Sequence, residues 1–338
     1  MGKIKQHKGK NSKFWYFVLS HLALTVPRCI LKIRYRHLEK IYRDTDKWPE
    51  IVERTGYYCR MTASAGGDTR SWGEMMNSIG SERIRSPKVY YLDSLKYGRC
   101  FSPRLLWHIA PGDVDYVPQV PSLCKSRPIG SDSPNATLMK LNHVRHFIFV
   151  NDSMEWKDKM DKVIFRGAIG QKCEGKLKEN RFRFMQMYFG HDMVDAGEVS
   201  DGAPFAKPEW ATGKLSIYDH LKYKFVMALE GNDVASNLKW VMSSNSIAVM
   251  PKPRFETWFM EGRLIPDYHY IQIADDFHDL EEKLNFYIQH PDLSMEIVRH
   301  AHEWVDKFRD RRKEDLISYL VLKKYLESVC LTVNENSA

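Results

Sequence analysis

The sequence predicts an α/β fold in which sheet and helix layers pack on one another. Three observations carry that expectation. Short apolar runs of strand character alternate with helical patterns along most of the chain. The 338 residues are 43% hydrophobic and 28% charged, enough to bury a core and too apolar for global disorder. No repeat or low-complexity stretch interrupts the alternation.

The first 43 residues hold eleven Lys or Arg against one acid, Glu39, a charge of +10; the remainder, with 40 basic and 42 acidic residues, is −2. A near-neutral body with a basic arm argues against a broad nucleic-acid surface, which needs a basic face on the fold itself. The arm runs KIKQHKGKNSK, then FWYFVLSHLALTV (Phe14–Val26), then PRCILKIRYRHLEKIYR. That apolar centre is shorter than the roughly 20 residues that span a bilayer. No small-residue cleavage site precedes the next basic run, which argues against a signal peptide. Basic residues on both sides of an aromatic patch suit a segment lying on an anionic membrane surface. A buried helix with a solvated tail is the plainer alternative. Residues 1–43 are therefore expected to form a basic amphipathic membrane-surface arm. Cys29, Cys59, Cys100, Cys124, Cys173 and Cys330 are scattered with no CxxC pair, which excludes a zinc knuckle and suits a reducing compartment. The expected location is cytoplasmic, peripheral on the inner membrane face.

Buried strands are expected at Val89–Leu92, Trp107–Ala110, His146–Val150, Val163–Phe165, Phe225–Leu229, Ser246–Met250 and Tyr268–Ile273. Helical patterns occupy Arg181–Phe189, Ile217–Tyr223, Leu238–Ser243, Asp279–Tyr287 and Leu293–Phe308, and a last amphipathic helix runs over Glu314–Val329. Two long irregular segments, Pro111–Pro134 and Ser200–Gly213, have the composition of functional or mobile loops. A boundary near residue 160 divides the chain after the arm into α/β domains at 44–160 and 161–312. A C-terminal helix and tail, 313–338, are free to cross back to the first domain.

Three segments have residues suited to chemistry. In WHIAPGDVDYVPQVPSLCKSRPIG an apolar strand ends at Pro111-Gly112, and Asp113 and Asp115 follow. Carboxyl ends of strands are where α/β folds place ligand groups. A carboxylate there is suited to take a proton from an attacking hydroxyl, although an Asx turn explains the same residues. In KVIFRGAIG a strand runs into Arg166-Gly167. Glycine permits close backbone approach and a guanidinium matches a phosphate with paired donors; a surface ion pair is the ordinary alternative. In DHLKYKFVMALEGNDVASNLKWVMSSNSIAVMPKPRFETWF a strand ends at Glu230-Gly231-Asn232, and a helix opens near Ala235-Ser236, with Lys239 one turn in. Its N–H groups can face an anion, and the strand SIAVM leads to Lys252, Arg254 and Glu256. This order suits a nucleotide-sugar site: helix end for the diphosphate, cation beside it, carboxylate for ribose hydroxyls.

GNDVASNLKWVMSSNSIAVM followed by ETWF and PDYHYIQI resembles the glycosyltransferases of family 90, which include capsule-associated, lipopolysaccharide-modifying and protein O-glucosylating enzymes. IFRGA resembles that family's strand–FRG element, and PGDVDYVPQVP resembles its segment with the catalytic Asp. CKSRPI and HVRHF point to the bacterial branch. The resemblance covers roughly residues 105–310. It implies a GT-B-like fold of two Rossmann-like domains facing a central cleft, with acceptor-side domain 44–160 and nucleotide-sugar domain 161–312. It also implies a UDP-sugar donor and inversion at the anomeric carbon without a bound metal.

Two departures stand out. Asn237 occupies the ASNLK turn where many members have Arg, so diphosphate charge is expected to meet Arg166, Lys239, or Lys125 and Arg127. The Gly-Asp pair selects Asp113 as base, whereas the Asp-Tyr pair selects Asp115; Asp113 keeps the preferred register. The expected activity is transfer of a sugar from a UDP-sugar to a hydroxyl of a surface glycan, lipopolysaccharide core or capsule. The expected donor contacts are Arg166, Gly167, Lys125, Arg127, Gly231, Asn232, Ala235, Ser236, Asn237, Lys239 and Glu256. No cofactor, metal or nucleic-acid partner is implied. Two other readings use the same residues. Asp113-Val-Asp115 and Asp44-Thr-Asp46 are DxD triplets of the kind a metal-dependent GT-A enzyme uses, and the fold also suits a non-catalytic glycan-binding membrane protein.

Overall fold

The computed structural model describes residues 11–62, 72–130, 134–170, 177–200 and 205–335. The basic tail before residue 11, Cys173, the last three residues, and positions 131–133 and 201–204 of the two long loops lie outside the described residues. The fold is mixed α/β with parallel sheets. By their contacts the residues form two compact units. The sheet unit takes Arg145–Arg254 and Glu261–Lys307; the terminal unit takes Ser12–Val144, Phe255–Met260 and the chain from Phe308 onward.

The sheet unit is built on five parallel strands in the spatial order Ile271–Gln272, Ile247–Met250, Tyr223–Met227, Met160–Gly167, Val194–Glu198. Val163, Ile164 and Phe165 are all buried, as are Phe225, Val226 and Met227. Successive strand residues point to opposite faces, so both faces of this sheet are covered, and the strands read as unbroken apolar runs. Helix Glu179–Tyr188 connects two neighbouring parallel strands and packs Phe184, Met185 and Tyr188 into the core. Helices Leu280–Gln289 and Pro291–Asp306 add Leu280, Leu284, Ile297 and Val298. The edge strand Val194–Glu198, VDAGE, lacks an apolar signature; Gly197 is required because a Cβ there would fall 2.0 Å from the Thr212 hydroxyl oxygen.

The terminal unit contains a three-stranded parallel sheet, in the order Ile109–Ala110, Ser122–Cys124, Ala136–Leu138. Strand Ser126–Pro128 pairs antiparallel with Phe255–Thr257, which brings Glu256 opposite Arg127. Helices α1 (Lys13–Ala23) and α2 (Arg28–Arg43), and those at Trp48–Tyr58, Lys88–Gly98 and Arg311–Glu335, complete the unit.

Two expected strands are corrected here. Val89–Leu92 lies within the helix Lys88–Gly98, where Tyr90, Tyr91, Leu92, Leu95 and Tyr97 are all buried. A helix enclosed on every side loses the 3.6-residue polar alternation, so its β-prone aromatics imitate a strand. His146–Val150 forms no strand either: a single helical turn, His143–His146, precedes an irregular stretch. Trp107–Ala110 splits. Leu106–Trp107 pairs antiparallel with Asn77–Ser78, and Ile109–Ala110 joins the parallel sheet.

Candidate active site

The PGDVD segment leaves the carboxyl end of strand Ile109–Ala110 in the terminal unit. Gly112 makes the turn with φ +99°, a left-handed conformation that favours glycine. Val114 is then buried against Ala110, Cys124 and Ala136, and its N–H donates to the Ser126 hydroxyl at 3.1 Å. Fixing Val114 inward turns its neighbours Asp113 and Asp115 outward, and both are exposed. Lys125, one residue beyond the adjacent parallel strand, is 2% exposed and places its ammonium 2.5 Å from Asp113 Oδ1. The ion pair orients a carboxylate that is 36% exposed. His108, on the same strand's approach, is hydrogen-bonded through Nδ1 to Ser122 at 2.8 Å, and burial pulls its pKa below the ordinary imidazole value.

Lys125 and Arg127 diverge. Arg127 is fully buried, with Nε 2.8 Å from Glu256 Oε1 and further donation to the carbonyls of Tyr57 (2.8 Å), Tyr58 (3.2 Å) and Ala136 (3.1 Å). Glu256, 1% exposed, also accepts from Arg60 and Tyr57. Freeing either partner for a ligand would break a buried ion pair, a disruption of about 3–5 kcal/mol. A second buried pair, Arg54 and Glu314 at 2.7 Å, lies in the same unit, with Trp258 Nε1 donating to Glu314 at 2.6 Å.

In the sheet unit, Gly167 and Gly231 are brought together, and Arg166 is not part of that meeting. Arg166 donates to Asp195 Oδ1 (2.6 Å) and to the carbonyls of Asp195 (2.8 Å) and Phe165 (2.9 Å). Burial works to raise the Asp195 carboxyl, but the Tyr223 hydroxyl and the Arg166 guanidinium outweigh it and hold the pKa below the ordinary value. Gly167 and Gly231 instead converge on Arg181: Cβ atoms there would lie 3.5 Å from its Nη1 and 3.2 Å from its Nη2. Arg181 joins two neighbouring strand ends, donating to Ala168 O (3.1 Å), Leu229 O (2.7 Å) and Glu230 O (3.0 Å). Asn180 adds a bond to Glu230 O at 3.0 Å, and Lys178 Nζ would lie 3.7 Å from a Cβ on Gly231. Arg254 Nε bonds the Glu230 carboxylate at 2.9 Å. Burial, reinforced by the Arg145 charge, pulls Arg181 down to about 10, so it stays cationic at neutral pH. Cations and glycines thus gather at the carboxyl edge of a parallel sheet, the position that suits a diphosphate.

The 231–239 turn contributes differently from its expected role. Ala235 is buried, and the helix it precedes, Leu238–Met242, has five residues, too few for much of a macrodipole. Asn237 donates its side chain to Met227 O at 3.0 Å, bracing the strand end. Asn232 and Ser236 are half-buried along the turn. Lys239 is fully buried, 2.8 Å from Glu261. Arg181 was missed among the candidates, although a signal exists: Arg181, Phe184, Met185 and Tyr188 fall at i, i+3, i+4 and i+7, placing an arginine at the head of an apolar stripe.

The model of "Glycosyl transferase family 90" matches residues 136–333, beginning after the PGDVD and CKSRPI segments. An O-glucosyltransferase, LpsA, of Dichelobacter nodosus is 34% identical over 322 residues, covering 95% of this chain and 97% of that protein. More than half the chain matches the family model, and nearly all of it aligns with a glycosyl-transferring relative. The chain therefore belongs to glycosyl transferase family 90 and is a glycosyltransferase.

Proposed function

We propose that this enzyme moves a sugar from a UDP-sugar to a hydroxyl of a lipopolysaccharide or capsule glycan, with inversion and without a bound metal, on a GT-B-like fold. The observation that supports it most is the outward Asp113 carboxylate at a strand's carboxyl end, oriented by buried Lys125. In this reading the acceptor hydroxyl gives its proton to Asp113 while its oxygen attacks C1 of the donor sugar. The bond from C1 to the UDP oxygen breaks through an oxocarbenium-like transition state. A carboxylate base near the reference pKa of roughly 4 removes the proton late, once the new C–O bond has acidified the hydroxyl. The departing diphosphate is stabilised by Arg181 and Lys178. The Dichelobacter relative is an O-glucosyltransferase, so UDP-glucose is the first donor to test.

UDP release from UDP-glucose, UDP-galactose and UDP-xylose, in excess chelator and with a glycan acceptor, tests the reading. Turnover in chelator with one preferred donor supports it. Strict dependence on manganese would recast Asp113 and Asp115 as metal ligands, and no UDP release with any donor would favour a binding role.

A further inference from the structure

α1 and α2 leave an unusual amount of apolar surface uncovered. In α1, Tyr16 is buried, with its hydroxyl 2.7 Å from Asp93 Oδ1, and Phe17 packs on the cluster of Tyr16, Leu92 and Val144. The other side is open: Phe14 is 68% exposed, Trp15 60%, Leu19 60% and Leu22 58%. At about 100° per residue these four, with Val18, form one contiguous arc of roughly 140° that contains no polar side chain. In α2 a narrow stripe, Leu31, Tyr35, Leu38 and Tyr42, is buried, and Tyr35 stacks on Tyr319 at 4.7 Å. Ile33 (67%) lies on the side opposite that stripe, and Ile30 (53%) and Ile41 (47%) flank it on one side. The two helices meet at 103°, and buried tyrosines, Tyr16 of α1 and Tyr35 and Tyr42 of α2, hold both to the unit.

The charge beside this surface is positive. Lys13, Arg28 and Lys40 are exposed on the same two helices, whereas Arg34 is paired with Asp315 at 2.9 Å. Lys32 and Arg36 form one wall of a groove of about 360 Å³ whose apolar surface includes Phe101, Tyr319 and Leu326. Lys323 adds a third cation to this groove against one carboxylate, Glu327. Apolar residues beside cations match the acyl-chain and headgroup layers of an anionic leaflet. α1, with 11 residues, is too short to span a bilayer, which needs about 20.

We propose that α1 and α2 dock on an anionic phospholipid leaflet, with Phe14, Trp15, Leu19 and Leu22 entering the acyl boundary. Lys32 and Arg36 take lipid phosphate at the groove mouth. The residue assignment narrows the aromatic patch of the sequence: Phe17 holds the helix to the protein and does not insert. The proposal is independent of the transfer chemistry.

Co-sedimentation of the full chain with phosphatidylcholine vesicles, with and without phosphatidylglycerol, at low and high salt, tests it. Wild type is expected to bind the anionic vesicles, more tightly at low salt. F14S/W15S/L19S should weaken binding by about tenfold or more at both salts, because apolar insertion is not screened. K32E/R36E should lose the preference for phosphatidylglycerol at low salt by about tenfold or more, leaving binding to phosphatidylcholine unchanged. Brominated lipid should quench wild-type tryptophan fluorescence more than that of W15F. Each variant is used once its circular dichroism and thermal midpoint match wild type. Wild type that ignores anionic vesicles at low salt, or either combined variant binding as wild type does, overturns the proposal. Wild type that self-associates through this surface instead of binding vesicles, with F14S/W15S/L19S monomeric, also overturns it.

Discussion

The two units hold their principal buried arginines in opposite ways. The terminal unit buries complete ion pairs, Arg127–Glu256 and Arg54–Glu314, each crossing between segments far apart in sequence. The sheet unit has a large apolar core, and its principal arginine, Arg181, is bonded to main-chain carbonyls at strand ends. A carbonyl partner leaves a guanidinium its full positive charge, whereas a carboxylate partner neutralises it. Arg181, bonded to carbonyls with the charges of Asp233 and Glu230 nearby, therefore retains more attraction for a phosphate than Arg127, which is engaged in holding its unit together. The lysines reverse the contrast. Lys239 is enclosed with Glu261, while the partner of Lys125 is a carboxylate that itself reaches solvent.

The largest expected effect falls on Asp113. Asp113→Asn keeps shape and hydrogen bonding but removes the proton acceptor, and turnover should fall by on the order of 10²–10⁴ with donor KM nearly unchanged. Asp115→Asn should stay near wild type. Reversed outcomes in steady-state kinetics would move the base to Asp115 and leave Asp113–Lys125 as scaffold.

The buried pairs come next. Glu256→Gln should lower stability in urea by about 3–5 kcal/mol, because it strands Arg127 in the core. Pairing Arg127→Met with Glu256→Leu should recover most of that loss, since apolar side chains need no partner. If Glu256→Gln leaves urea stability intact and raises donor KM, Glu256 contacts ribose, and the contrast between the units fails at that residue.

Arg181→Lys sharpens the contrast in the other direction. The charge survives but the fork is lost, so UDP affinity by calorimetry should weaken by about 1.5–3 kcal/mol. Arg166→Ala should affect stability through Asp195 and leave UDP affinity near wild type. Equal losses of UDP affinity in both variants would place Arg166 back among the donor contacts.

A pH slope in the sheet unit comes last, since only part of its upper bound is sampled at any one pH. Burial, with the charges of Lys307 and His300 adding, pulls His269 from 6.5 down to about 4, and its Nδ1 accepts the Ile265 N–H at 2.9 Å. Between about pH 6.5 and 4 the unfolded chain binds the proton and the folded chain does not. Stability therefore rises with pH across this window and falls on acidification, by at most about 3 kcal/mol. Thermal midpoints of wild type and His269→Gln across that range check it, since the variant should lose this part of the slope.

Much of the sheet unit was legible before folding. Val163–Phe165, Phe225–Leu229 and Ser246–Met250 announce strands because a doubly covered parallel sheet makes each of them an apolar run. The terminal unit was less legible for the converse reason. Its parallel strands have two or three residues, too short to show a period, and its helix Lys88–Gly98 is enclosed on every side. The candidate site divides likewise. The Gly-Asp turn, FRG and the GNDVASNLK turn can be found as local strings, but the partners of their side chains cannot.

By itself the sequence determined the α/β class, the resemblance to a family of glycosyltransferases, the placement of Asp113 just beyond a strand, and the basic arm. These depend on residue order and local periodicity, which the chain carries whether or not it is folded. The partners of each cation come from the folded chain: Arg127 meets Glu256 across 129 positions, Arg166 turns to Asp195, and Arg181 lies beside both Gly167 and Gly231. Hydrogen bonds and ion pairs act over a few ångströms and are indifferent to sequence separation. Whether an arginine binds a substrate or holds a core is therefore settled by what the fold brings beside it.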